Sequence, residues 1–568
     1  EARVVLMAKN NVTITGVSSQ GTGVYSMIFD YGTATNLGVT SQSGSVLVKG
    51  LSGSTSYFGT YWRLPTLAAN NITITGAGGY GVCNDFYSSL NATSGDINLI
   101  GYSTTSAALW FNASSGYNIN AGGNVIFSAK SMAEKGIDSS TTITNNSVTA
   151  GGSVTFQGAT IASSSLATNV LNSSFAAADS AARLLSTSGG NYFGGAISAG
   201  SDVNVASTGS ITFAGAISST TGSVSVTDSS GHVTLSNNIT TSAASKSILV
   251  QSYGSILISG TKTLTTNNGV VTLASDSGGA GNGGIKDTGT LTITTAGGNV
   301  FVGGGALTIT NGVVTGIGYA QGRTSVQSEG VRFNALTITT ANGNLVIKGK
   351  SGTSSQGGAQ GAWGVGFDAT TSINSGAGTI YISGVGQSNN AGDYTPGIVF
   401  AYSAGSYTQT ITSANTSTTA IQIIGNAATA ANASWNYGIM IHNAGSTVIA
   451  PTGVGGGITL QATRNTAGIQ DDIYFGGTNY ILAKSGPIDI LGTTAGGRLR
   501  IGGSLNVGAS TATAVTASTG LGSTLATAVA TSTSNVKVQF DLWNWWTNNN
   551  GNNAGTVFNF YNSGTLSI

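Results

Sequence analysis

A two-part phrase recurs along this chain and limits what it can become. A short alternating strand ending in glycine, such as NLVIKG (344–349), is followed by a Gly/Ser-rich stretch and then by an aromatic–Gly–aliphatic element, such as WGVGFD (363–368). The pair returns as TIYISG (379–384) with YTPGIVF (394–400), and as AIQIIG (420–425) with NYGIMI (436–441). Gly330, Gly364, Gly397, Gly438 and Gly468 open successive elements at intervals of 34, 33, 41 and 30 residues. A repeat of this length is one supersecondary unit that cannot bury its apolar side alone, so neighbours must stack.

Within each repeat the apolar residues alternate at period two, the mark of strands. In NNVTITG (10–16), Val12 and Ile14 share one side and Thr13 and Thr15 the other. NNITITG (70–76), GSVTFQG (152–158), GSILISG (254–260) and GTLTITT (289–295) repeat the pattern, bounded by Gly, Asn and Ser as turns require. Hairpin signals between these runs are sparse, which favours parallel stacking of coils. The expected fold is all-β: a parallel β-helix, or β-solenoid, with one β-hairpin at its carboxyl end.

Coil length divides the chain. Residues 1–194 and 330–508 read as long looped coils, and 195–329 as short ones. SSFAAADSAARLLS (173–186) carries Ala, Leu and Arg behind a Ser cap and reads as a short helix. The low-complexity segment 509–535 reads as a linker or thin coil. Residues 536–568 alternate on both sides of NNNGNN, the hairpin signal, which would cap the solenoid or join it to the next subunit through Trp543, Trp545, Trp546, Phe558 and Phe560. The chain opens at Glu1 already in strand rhythm, as a processed or excised piece would.

Composition excludes several functions. With 87 glycines and only 7% charged residues, the chain holds few groups for acid–base work. Net charge is +1 and the basic residues are scattered, so no footprint for nucleic acid exists. No apolar run is long enough to span a membrane as a helix. The single cysteine, Cys83, cannot form an internal disulfide. Asp471 and Asp472 are the only adjacent acidic pair, and on a strand they point to opposite sides. His232 and His442 are far apart in sequence and read as surface residues. GGAGNGGIKD (278–287) puts Asp287 out of place for a repeat-encoded calcium site. No enzyme activity, metal or cofactor is expected.

Two side-chain sets remain. Thr-x-Thr recurs at Thr13/Thr15, Thr73/Thr75, Thr292/Thr294, Thr308/Thr310 and Thr337/Thr339, the pairs of an ice-binding solenoid, but dispersed here over different coils. The loop aromatics Trp363, Tyr394, Trp435 and Tyr437 are the candidates for lateral binding or packing, stacking on sugars, on a neighbouring filament, or back onto their own coils. Phe333, Phe367, Phe400 and Ile441 read as an internal stack.

The phrases KNNVTITG, GGSVTFQG and GDINLIG resemble the repeats of filamentous haemagglutinin-like exoproteins, and the NYGI and WGVG elements are similar to large repeat-rich surface proteins of Gram-negative bacteria. The resemblance covers most of 1–508 and is one of pattern. It implies a right-handed β-helix, an extracellular or cell-surface location, and a role in adhesion or matrix formation. That family's secretion domain carries Asn-Pro motifs; none occurs here, and the domain is not expected. The expected protein is a non-catalytic structural or adhesive fibre element. Its partners would be copies of itself, in head-to-tail or lateral contact, and glycans or a host or neighbouring cell surface. The competing readings are a polysaccharide-binding or polysaccharide-degrading β-helix and an autotransporter passenger.

Overall fold

The computed structural model describes residues 6–25, 38–85, 89–105, 107–112, 118–131, 137–139, 146–150, 154–157, 173–177, 182–185, 191–193, 196–207, 209–279, 281, 283–310, 313–323, 328–352, 363–387, 395–402, 405–427, 437–442, 444–464, 471–493, 499–508, 536–539, 557–561 and 566–567. The chain forms two compact units, 1–247 and 248–568. Among the described residues there are strands and turns and no helix.

Each unit is built from coils of three strands, and each strand pairs in parallel with its counterpart in the next coil. In the first unit one coil runs Val39–Ser41 (face 1), Val46–Ser52 (face 2) and Phe58–Trp62 (face 3). On face 2, Val46 aligns with Val12 and Ile72, and Ile97 aligns with Ile72 and Val125. A second unit coil runs Ala335–Thr339, Leu345–Lys350 and Val365–Phe367. There Leu345, Ile380, Ile421, Ile458 and Ile488 form one face 2 column, every member fully buried. Period two thus becomes a core one residue wide that continues through the coils. Farther along, Val203 aligns with Val224, and Ile211 with Val233.

Turns are held by side chains that bond the next coil. Before face 2 of the first unit, Asn11 Oδ1 accepts from the Ser45 amide (2.8 Å), Asn71 Oδ1 from Asp96 (2.7 Å) and Asp96 Oδ1 from Asn124 (2.6 Å). In the second unit the same turn uses a buried hydroxyl in a Ser/Thr-x-x-Gly step. Thr266, Thr340 and Ser375 donate to the carbonyls of Gly269, Gly343 and Gly378. Thr340 also donates to Ser375 O at 3.1 Å, tying its coil to the next. Replacing Thr340 by Val keeps the shape and leaves the buried Gly343 carbonyl without this donor, while Ser375 O keeps the Gly378 amide. The expected cost is about 1–3 kcal/mol, read as a lower urea midpoint at unchanged slope.

Two expectations change. The described residues of 173–186 are strands and not a helix: Ser173–Ala177 and Ala182–Leu185. Phe175 aligns with Val148 and Ile197, and Leu184 with Phe156 and Val205. Helix propensity is a weak prior, and a helix here would break two ladders at once. In the terminal segment, Val536–Gln539 and Val557–Tyr561 lie on different faces, each added in parallel to a preceding strand. Residues 509–535 and 540–556 lie outside the described set. One antiparallel ribbon does occur: Val300–Thr310 runs past its ladder and pairs with Val313–Gly318. It seats Val314 and Ile317 on Ala274 and Phe301.

Candidate docking face

The recurring phrase has a structural cause. Its two glycines meet. A Cβ added to Gly349 would lie 2.0 Å from the carbonyl oxygen of Gly364, and one on Gly384 or Gly425 would lie 2.1 or 2.0 Å from that of Gly397 or Gly438. The first unit repeats this with Gly16 against Gly23, Gly50 against Gly59, Gly76 against Gly81 and Gly101 against Ala108. The chain leaves face 2, makes a loop of variable length, and returns through a neck in which backbone touches backbone. Loop length can therefore vary without disturbing the coil.

The outward residue just after the neck glycine differs between the units. In the first unit it is Val17, Leu51, Ala77 or Tyr102, four residues in one register column that Lys130, after Ala129, continues on the next coil. Val17 is 73% exposed, and Leu51 and Tyr102 about half so. In the second unit the same column reads Lys350, Val385, Asn426 and Thr463. Leu51, Ser52, Ala77, Gly78, Tyr102 and Ser103 line a groove of about 500 Å³ that carries no charged side chain. Its rim is fixed by Thr105 Oγ1, which donates to Thr55 O at 2.8 Å. Tyr57, also about half exposed, borders it, since its carbonyl lies 3.0 Å from where a Cβ on Gly78 would sit.

Beyond the groove, face 3 carries a run of aromatic rings. Tyr25 stacks on Tyr61 (5.0 Å), Phe58 meets Tyr80 (4.8 Å), and Tyr80 meets Trp110 edge-on (5.3 Å). Trp62 turns inward, with its indole N–H donating to Thr66 Oγ1 at 3.0 Å. Such a row is rigid and costs little entropy on contact.

Of the lateral candidates singled out from the sequence, Trp363 and Tyr437 are among the described residues. Trp363 and Tyr437 are buried, not a lateral ridge. They cover Val399 and Met440, the outward residues of face 3 in the second unit, with Tyr402 and Tyr474 packed alongside. Burial, with Asp471 nearby, pushes the Tyr437 hydroxyl up to about 12. The physical reason is that these outward positions are apolar and need a lid. Tyr394, Trp435, Trp543, Trp545 and Trp546 lie outside the described residues, and Phe558 and Phe560 are described only as part of a strand. The phenylalanine stack is present, with ring centres 5.9 Å apart from Phe333 to Phe367 and 4.9 Å from Phe367 to Phe400.

Asp471, Asp472 and Cys83 lie inside the fold and His442 partly so. Asp471 and Asp472 are both buried; Asp472 Oδ1 accepts from the Arg464 amide at 2.9 Å and Oδ2 faces its guanidinium. Burial lowers the His442 pKa. Cys83 is buried on face 3, in register with Tyr61 and Trp110. Among the described residues no group of three or more His, Cys, Asp or Glu is placed to hold a metal, and no helix is long and apolar enough to cross a membrane. The groove residues had a partial signal in the sequence: TGV, KGL, TGA and IGY place apolar residues after the neck glycine, while KGK and IGN place polar ones and SGV (383–385) an apolar one in the second unit. No family model, curated protein or solved structure matches the chain.

Proposed function

We propose that this chain is a non-catalytic structural and adhesive β-solenoid of an extracellular fibre or matrix, and that the first unit sticks laterally to other copies through its groove and aromatic row. The observation that carries this reading is the run Val17–Leu51–Ala77–Tyr102, held in register over four coils with Val17, Leu51 and Tyr102 exposed and no charge before Lys130 on the fifth, where the second unit places Lys350, Val385, Asn426 and Thr463. Exposed apolar patches of this kind are the usual mark of association. The resemblance of the repeats to haemagglutinin-like exoproteins supports the extracellular setting and right-handed winding of the coils.

The combined variant Leu51→Ser, Tyr57→Ser, Tyr102→Ser tests it. Each side chain is about half exposed, so its burial on contact returns about 1 kcal/mol. Together the three substitutions should weaken association roughly a hundredfold, seen by sedimentation and by loss of laterally paired rods in electron micrographs, at an unchanged melting temperature. Association that survives intact would sink the reading. Loss of retention on a glycan array with association intact would favour polysaccharide binding instead.

A further inference from the structure

The threonine pairs prove to be stacked in the second unit. Face 1 aligns Thr263 with Thr292, Thr292 with Thr337, Thr337 with Ser372 and Ser372 with Thr410. Two residues along, it aligns Thr265, Thr294, Thr339, Asn374 and Thr412. These ten positions on five successive coils form a rectangular array of outward side chains, none of them charged and none of them buried. The pairs on face 2 of the first unit form no such array, since Leu47 and Lys49 stand between Thr13/Thr15 and Thr73/Thr75. Thr308/Thr310 lies on the antiparallel ribbon.

Two properties set this array apart, on top of the spacing that every parallel sheet shares. The rows are about 4.8 Å apart from coil to coil and about 6.7 Å from residue i to i+2. Thr265, Thr292, Thr294, Thr337, Thr339 and Thr410 spend no hydroxyl bond on the protein among the described residues, so their donors and acceptors face water. Threonine is stiff at χ1, and the backing layer of Leu264, Leu291, Ile293, Leu336, Ile338, Ile373 and Ile411 is fully buried, which holds the plane. A rigid two-dimensional lattice of hydroxyls and methyls has one natural complement, a crystal of like repeat. Its spacings lie close to those of ice, where each hydroxyl can take the place of a lattice water and each methyl can sit in the gap between them. The array ends at the next coil, where Val448 and Ala450 are buried and cluster with Tyr480 and Leu482 of the following strand.

We propose that face 1 of the second unit, over 263–412, adsorbs to ice. The test uses the full chain in a nanolitre osmometer. Wild type should shape growing crystals into facets and hold them below the melting point. Thr292→Tyr with Thr337→Tyr puts two bulky rings in the plane and should abolish at least nine-tenths of that gap. Ser218→Tyr, on face 1 of the first unit, should leave it unchanged. If the tyrosines impair folding, Thr337→Val keeps the shape and should still lower the activity. Round crystals growing at the melting point with wild type would overturn the proposal, as would full activity in the folded tyrosine variant. Retention on microcrystalline cellulose, lost in the same variant and without adsorption to ice, would overturn it in favour of a crystalline polysaccharide.

Discussion

Gly425→Ala is expected to destabilise the second unit by about 3–5 kcal/mol, above the usual cost of overpacking a core. The new Cβ would stand 2.0 Å from the carbonyl oxygen of Gly438, 2.6 Å from its carbonyl carbon and 2.8 Å from an Ile439 side-chain carbon. Two of these three are backbone atoms, with no rotamer through which to escape. The strand cannot shift either, because Gly425 is in register with Gly384 on one side and Ala462 on the other. Opening the neck would pull Ile439 out of the face 3 column it shares with Ile398 and Ile473. Coils depend on their neighbours, so the loss should spread beyond one turn. Denaturant unfolding of the variant should show a lower midpoint, with hydrogen exchange rising first in 421–426 and 439–441. Gly279→Ala is the control: it has open space around it and an unfavourable φ of 65°, so backbone strain alone sets its smaller cost. Equal stability of Gly425→Ala and wild type would mean that the neck is not closed by contact.

The glycine recurrence was visible in the sequence, while the reason for it was not. Gly349 and Gly364 are fifteen positions apart, and nothing in their spacing says that they touch across a loop. Alternation gave the strands and told inside from outside, so Ile380 and Ile421 are where the pattern puts them. Register is harder. The stacked threonines fall at 263, 292, 337 and 410, with Ser372 between, because each coil has its own loop length. Unequal intervals hide a regular array from any fixed period, and so the pairs looked dispersed. Loop aromatics were legible as a set, but whether Trp363 faces solvent depends on Val399 and Met440, residues from other coils that need covering. Composition misled at 173–186, where Ala and Leu favour a helix but flanking strands supply ladder partners on both sides.

Arg332→Met should be nearly as damaging at neutral pH and much less so in acid. Arg332 Nη1 donates to Glu329 Oε1 and its Nε to Asp368 Oδ2, both at 2.7 Å, while its guanidinium lies over the Trp363 ring at 5.1 Å. Glu329 and Asp368 are 5% and 3% exposed. Burial works against the Arg332 charge, yet the two carboxylates more than offset it and hold the guanidinium above its usual range. Burial also raises the Asp368 pKa, and Arg332 limits that rise. Methionine fills the space over Trp363 but leaves two buried carboxylates facing each other, a loss of about 3–5 kcal/mol. A carboxyl whose folded pKa lies above its unfolded value contributes stability that is fully present below the unfolded value, about 4, and lost as pH rises through the folded one. Without Arg332 that rise is larger, so the deficit of the variant should shrink as pH falls through the raised folded value of Asp368 and be smallest below the unfolded one, about 4. Urea is the right denaturant, because guanidinium would screen the charges being compared. Adding Glu329→Gln and Asp368→Asn to Arg332→Met should restore most of the stability at pH 7, since a neutral set carries no uncompensated charge. A deficit that stays constant from pH 7 to 4 would show that Arg332 acts through its packing on Trp363 and not through its charge.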